Sequence, residues 1–428
     1  MSYQIYIQGQ KYSIHGKSKP VRNDMPSTLI VKFRGGLSDS VKAFNLINGI
    51  SKIRRIWGND LIYLCTFKQM PLRQLSDLAK AYHDSGVASF AEPHMMTTIR
   101  RESPFNDPLY AKQWYFENNG QMGGVPGVDI GIVKALQFIK EQNIDVNYSI
   151  KLAVLDEGVD IKHPEFSDKG MFYGNFSMYG DRKNPLPLLE DHHGTNVAGV
   201  IAAVQKNQRG IAGINPFVQI MIGRIYYTEG GPHVDPLRIA DGIRIAVDRG
   251  AQVINLSWRL KNFSPVVADA IRYGYDKGIL FCAAAGNYMS RNGLKEVAFP
   301  GMMDEVITVG ACNHRGEWTN LSNTPADARF GSCYGREMDI LAPGLYIPTT
   351  MNDGGYTYNF FGTSAATAIV SAVAALVLAV RPSLTAIQVR EILLSTCDEV
   401  YGDSTIPYFH RAGYGRINAF KAVKKALS

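Results

Sequence analysis

Short apolar runs alternate with amphipathic stretches through the last three quarters of the chain. Residues 150–155, 220–225, 253–256, 279–284 and 305–309 are apolar runs bounded by turn residues and read as buried strands. Residues 196–204 and 236–249 lie between them with helical spacing, so strands and helices alternate. That alternation predicts an α/β fold with a mostly parallel sheet flanked by helices. Residues 365–380 are almost wholly apolar and read as a central buried helix; the 16-residue run falls short of the ~20 needed to span a bilayer and stops at Arg381-Pro382. Further on, Thr385-Ala386-Ile387-Gln388 is a capping box opening a helix to Cys397, and residues 413–418 lead into a last short helix.

The N-terminal quarter has a different rhythm. Residues 29–33 read as a strand and 38–47 as an amphipathic helix; 51–67 form one or two strands broken at 58–60, followed by a helix over 72–83 and a strand over 87–96. The order β-α-β-β-α-β is the ferredoxin-like arrangement. Ahead of it, residues 3–7 and 11–14 alternate around Gln8-Gly9-Gln10, the pattern of a small hairpin. No internal repeat or low-complexity segment interrupts the chain.

Composition narrows the class. Among 428 residues, 46% are hydrophobic and 19% charged, which excludes gross disorder and leaves room for a large core plus an accessory unit. The net charge is +7, but residues 1–105 carry 15 Lys+Arg against 7 Asp+Glu, a net of +8, which leaves −1 for residues 106–428. The bulk of the chain has no net attraction for phosphates, so a nucleic-acid partner is not expected. Cys65, Cys282, Cys312, Cys333 and Cys397 lack metal spacing and read as buried thiols, as suits a reducing compartment. The start has neither the basic residues nor the continuous apolar core of a secretory signal, which favours the cytoplasm over export by another route.

Candidate chemistry sits in three segments: Asp156 in Ala153-Val154-Leu155-Asp156-Glu157-Gly158, His193 in His193-Gly194-Thr195-Asn196, and Ser364 in Gly362-Thr363-Ser364-Ala365. Singly, each has a plain structural reading: a strand-end turn, a surface histidine like its neighbour His192, and a helix N-cap. Together they are an acid, a base and a nucleophile. A serine hydroxyl needs a neighbouring base to take its proton, and an imidazole serves best when a buried carboxylate fixes its tautomer. Asn287 ends the apolar run 279–285, where it is either turn chemistry or an amide donor for an oxyanion. Ser364 would stand at the N-terminus of the buried helix, where free N–H groups favour negative charge.

The order Asp, His, Ser is that of the subtilisins. The segments 153–158, 193–199, 283–287 (Ala-Ala-Ala-Gly-Asn) and 362–367 resemble the four signature segments of subtilisin-like serine proteases. Lesser blocks at 210–213, 253–257, 306–311 and 341–344 extend the likeness over residues 105–424. The resemblance implies a subtilisin-like three-layer fold and peptide-bond hydrolysis through an acyl-enzyme at Ser364. His193 would shuttle the proton and Asp156 orient it, with Asn287 and the Ser364 N–H holding the oxyanion. It also implies subsite walls at Ser257-Trp258-Arg259 and at Ala283, Ala284, Ala285 and Gly286, with Ala298 at the floor; that small floor predicts an apolar residue before the cut. Arg259 departs from the family's usual glycine and is expected to narrow the cleft or select acidic residues nearby. Ala368 and Ala372 replace a proline and a glycine without disturbing an alanine-rich helix.

The same resemblance gives the domain plan. Residues 1–26 are a hairpin extension, 27–99 a ferredoxin-like α+β prodomain similar to the intramolecular-chaperone propeptides, 100–105 a linker, and 106–428 the catalytic domain. Cleavage is expected within 97–105, at Ile99 or a residue beside it for self-processing, or at Arg100-Arg101 for a partner of basic specificity. Expected partners are peptide or protein substrates and the chain's own N-terminal domain, with no membrane span. The chemistry requires no cofactor. Structural calcium is possible but not indicated: the loop Gln205-Lys206-Asn207-Gln208-Arg209 offers two cations and no carboxylate, which disfavours a tight site there and leaves other places open. Two alternatives stand beside hydrolysis: peptide ligation or macrocyclisation from the same acyl-enzyme, and a catalytically silent peptide-binding protein.

Overall fold

A computed structural model describes residues 2–7, 10–15, 27–56, 61–94, 104–166, 171–228, 234–290, 292–401 and 406–428, the first two stretches by backbone alone. The chain divides into two compact units, Met1–Glu102 and Ser103–Ser428.

The small unit contains β1 (Ser2–Ile7), β2 (Gln10–His15), β3 (Thr28–Phe33), α1 (Asp39–Ile47), β4 (Ile50–Arg55), β5 (Ile62–Phe67), α2 (Leu72–Asp84) and β6 (Ala88–Pro93). Its single sheet runs in the order β2-β1-β6-β3-β5-β4. Stripped of β1 and β2, this is the ferredoxin-like strand order, with both helices in the predicted places. The N-terminal hairpin forms, and it joins the sheet through an antiparallel pairing of β1 with β6. Alternation explains the core: Leu29, Val31 and Phe33 of β3 all point inward and are buried, as are Cys65 and Phe67 of β5. Tyr82 closes that core from α2, and its buried hydroxyl donates to Asn45 at 2.6 Å. The break expected at 58–60 lies outside the described residues, as do residues 97–103 of the stretch 97–105 where cleavage is expected.

The large unit opens with α3 (Ile132–Glu141) and proceeds through β7 (Lys151–Asp156), β8 (Phe176–Ser177), α4 (His193–Ala202), β9 (Gln219–Arg224), α5 (Pro236–Asp248), β10 (Val253–Leu256), α6 (Pro265–Asp276) and β11 (Leu280–Ala284). After these come β12 (Asn287–Tyr288), β13 (Val306–Cys312), β14 (Gly331–Ser332), β15 (Ile340–Pro343), β16 (Ile347–Thr350), β17 (Tyr356–Phe360), α7 (Thr363–Val380), α8 (Ala386–Ser395), α9 (Tyr408–Ala412) and α10 (Ala419–Leu427). Seven strands form one parallel sheet in the order β15-β13-β11-β10-β7-β9-β8. Helices cover both faces, so the strands are apolar on both sides and their runs are continuous.

Two features of this sheet locate a site. The chain moves outward from β7 in both directions, so β7 and β10 flank the point where the strand order reverses. In open α/β sheets, ligands gather beyond the carboxyl ends of the strands at such a point. The second feature is α7, whose 18 residues are apolar enough by length and composition to cross a membrane but are 94% buried inside the protein. A helix that is apolar on every side belongs in a core, and α7 packs against β10, β11, β13 and α4. All five cysteines are free thiols, four of them buried, and burial pushes Cys282 and Cys312 up to about 12.

The N-terminal segment of this unit threads back to the loop after α4. Asp107 accepts from the N–H groups of Lys206 (2.9 Å) and Asn207 (3.0 Å), and Glu165 accepts from the Asn207 amide at 2.8 Å. Both carboxylates of this corner are thus taken up by protein donors, and Leu109 N–H reaches Gly210 O at 2.7 Å.

Candidate active site

Asp156 is the last residue of β7 and is fully buried. A carboxyl group out of water needs hydrogen-bond partners, and three surround it: His193 Nδ1 lies 3.0 and 3.1 Å from its two oxygens, Tyr226 Oη donates at 3.0 Å, and the Glu157 N–H donates at 2.9 Å. His193 stands at the first turn of α4, and a close backbone approach brings it to the strand end. Gly194 lies against the Gly158 carbonyl so tightly that a methyl group on it would sit 2.1 Å from that oxygen. Gly158 itself has φ +105°, so the Asp-x-Gly and His-Gly pairs are steric requirements of the same contact.

The carboxylate fixes the imidazole. Burial disfavours the charged ring, but the charge and hydrogen bond of Asp156, with the charge of Glu157, outweigh it and raise His193 to about 9. The ring is 29% exposed and packs edge-on against Phe360 at 5.6 Å. Phe360 ends β17, four residues before Ser364, so the strand leading into the serine turn braces the histidine.

Ser364 occupies the first turn of α7, partly exposed, with its own N–H among those the helix leaves unpaired. Asn287 meets this turn. Its Oδ1 accepts from Thr363 N at 3.0 Å and from Thr363 Oγ1 at 3.2 Å, which leaves the Nδ2 hydrogens to project. The approach depends on Gly362, where φ is +102° and a methyl group would lie 2.7 Å from Asn287 Nδ2. The Asn287 amide and the serine turn are therefore adjacent.

One leg of the expected constellation is not a hydrogen bond here. Ser364 Oγ donates to the Ser257 carbonyl at 2.8 Å rather than to His193, and the Ser257 hydroxyl returns a bond to Ser364 O at 3.0 Å. Asp156 and His193 are thus joined to each other, and Ser364 to Ser257, with Asn287 bonded to the preceding Thr363.

The expected subsite residues divide in the same way. Ser257, Ala283, Ala284 and Ala285 are buried. Trp258 is turned inward, its indole N–H donating to Leu155 O at 2.8 Å, where it ties β10 to β7 beside Asp156. Gly286, Ala298 and Arg259 meet: the position of a Cβ on Gly286 lies 3.3 Å from Ala298 Cβ, 3.2 Å from Arg259 Cδ and 3.3 Å from Arg259 Nη1. The arginine side chain therefore lies over Gly286, beside Ala298. Sequence reasoning missed Tyr226, Asp191, Thr228 and Phe360; an aromatic residue after a strand reads as core, and only the fold turns Tyr226 toward the carboxylate.

Comparison with known proteins assigns the class. A model of the subtilase family of peptidases matches residues 147–415, and the chain belongs to that family. It is 32% identical over 357 residues to the cell wall-associated protease of Bacillus subtilis (strain 168), covering 79% of this chain and 37% of that one. It is 34% identical over 273 residues to the thermophilic serine proteinase of Bacillus sp. (strain AK1), covering 64% and 61%. A subtilisin of Bacillus pumilus is 32% identical over 277 residues, covering 64% of this chain and 91% of that one. The chain thus spans 37% and 61% of the lengths of the first two. Among solved structures, a protease of Pseudoalteromonas arctica PAMC 21717 shares the fold, with a TM-score of 0.61 and 23% identity over 76% of this chain and 100% of that one.

Proposed function

We propose that the large unit is a serine endopeptidase that hydrolyses peptide bonds through an acyl-enzyme at Ser364. The observation that carries this reading is the buried Asp156 gripping His193 Nδ1, which leaves Nε2 as the basic nitrogen of a partly exposed ring. On substrate binding, Ser364 turns from the Ser257 carbonyl to His193; such bonds are often long or misdirected before substrate arrives. His193 takes the hydroxyl proton as Oγ attacks the carbonyl carbon, then gives it to the leaving amine. Water repeats the sequence to release the acid. The oxyanion is met by Asn287 Nδ2 and the Ser364 N–H. No cofactor enters any step.

The test is hydrolysis of unfolded casein by the purified chain, abolished by a fluorophosphonate. An inert protein that the reagent does not label would overturn the reading in favour of a silent peptide-binding fold. Asn287→Ala removes one oxyanion donor, and we expect kcat to fall about a hundred- to a thousandfold with KM little changed. A drop confined to KM would contradict the role.

The first subsite is proposed to take an apolar side chain of modest length. Ala298 and Gly286 give it uncharged walls, and Arg259 both shortens it and repels cationic side chains. Arg259→Gly should raise kcat/KM for phenylalanine over alanine at that position by about tenfold, the scale for one or two methylenes of pocket depth. A wild-type preference for lysine or arginine in a peptide library would refute this.

A further inference from the structure

The hydrolysis just proposed gives Glu157 no task, yet the fold buries it beside the catalytic pair. Glu157 is 3% exposed. Its Oε1 accepts the backbone N–H of His193, and its Oε2 lies 3.4 Å from the Thr228 hydroxyl. Asp191, fully buried in the loop before α4, holds the same hydroxyl and accepts the Thr228 N–H at 3.0 Å. Four ionisable groups face Glu157: Asp156 from the end of β7, His193 from α4, Asp191 from the loop before it, and the Tyr226 phenol from beyond β9. Arg224 on β9 faces Asp191 in turn.

Three carboxylates gathered out of water repel one another, and an ionised one survives there by stabilising a cation. The cation facing Glu157 is the imidazolium of His193. We propose that Glu157 is a positioning residue which anchors the first turn of α4 through the His193 N–H and sets the pH at which His193 becomes a base; this rests on the proteolytic reading of the site. Ionised, Glu157 holds a proton on the imidazole. Protonated, it does not. Burial, followed by the charge of Asp156, raises Glu157 to about 7, so the two groups exchange influence within the working range and titrate as a pair.

The sign of the effect follows. A neutral amide at position 157 still accepts the His193 N–H but no longer favours imidazolium, so the base form of His193 is reached at lower pH. In Glu157→Gln, the acid limb of kcat/KM, normalised to its own plateau, is expected to move about one pH unit down. A merely structural role would lower the plateau and leave the limb in place. The stability sign is opposite in kind: a carboxyl raised by folding contributes stability below its ordinary value of 4.5 and loses it as pH rises through about 7. Tm of Glu157→Gln should therefore exceed that of the wild type more at pH 8 than at pH 5.

The experiment is a pair of pH profiles on the full chain, wild type and Glu157→Gln, with fluorophosphonate labelling of Ser364 measured beside them. A limb displaced downward supports the proposal; a limb unmoved or displaced upward overturns it. Should the wild type fail to label, the proteolytic reading falls instead, and the two failures are distinct. If Glu157→Gln does not accumulate, the His193 imidazole of labelled Ser364→Ala protein is titrated by NMR. Two inflections, one belonging to the neighbouring carboxyl, are expected, and a single one overturns the coupling.

Discussion

Ser364→Ala is expected to fold like the wild type and to lose about a millionfold in kcat, the scale found when the nucleophile of a subtilisin is removed. Little structure depends on the hydroxyl. Its one hydrogen bond runs to the Ser257 carbonyl, and deletion of such a bond costs about 1 kcal/mol. The turn is fixed instead by Thr363, whose N–H and hydroxyl are held by Asn287 and whose Oγ1 accepts the Gly286 N–H at 3.2 Å. Loss of activity with an unchanged melting curve is therefore the expected pair of results. Retention of a few per cent of turnover on a chromogenic peptide amide would place the nucleophile elsewhere.

Asp156→Asn should cost about ten-thousandfold in kcat, again without loss of fold. The carboxylate accepts from His193 Nδ1, Tyr226 Oη and the Glu157 N–H through two oxygens, whereas an amide has one oxygen and an NH2. Whichever way the amide turns, one of the three donors faces a donor. The imidazole then settles in the other tautomer, with its proton on the nitrogen that should receive one from Ser364. Because the Asp156 charge raises His193, the residual activity should also show an acid limb at lower pH than the wild type. A loss below tenfold, measured on the same peptide amide, would contradict the role.

The element pattern was legible where a segment's burial is uniform. Val253–Leu256 lies where its apolar run predicts, and the long helix begins at Thr363, two residues before the run suggests, since the serine turn is helical but polar. The helices Ile132–Glu141 and Pro265–Asp276 went unread because each covers the sheet with one face and interleaves charges on the other. The hairpin at the N-terminus reads from sequence as an extension; its attachment to Ala88–Pro93 is a long-range pairing that no local pattern carries.

The site shows the same limit. Asp156, His193, Asn287 and Ser364 could be named because each stands in a short motif with glycine beside it, and the glycines prove to be the contacts that let the elements meet. Motifs do not encode rotamers. The bond of Ser364 to Ser257, the inward turn of Trp258 and the lie of Arg259 over Gly286 depend on neighbours brought from more than a hundred residues away or on side-chain choice alone. Glu157 stands inside the Asp156 segment, but a glutamate beside an aspartate carries no signal until its partner across the fold is known to be the backbone of His193.

The central claim is that Asp156 and His193 make Ser364 the acyl carrier, and trapping the acyl group tests it most directly. The wild type, Ser364→Ala and Asp156→Asn would each be mixed with an activated ester, quenched in acid within the burst, digested and mapped by mass. The account predicts one acyl adduct, on Ser364, formed rapidly in the wild type, absent in Ser364→Ala and formed orders of magnitude more slowly in Asp156→Asn. An adduct on another residue, or equal rates in wild type and Asp156→Asn, would contradict it.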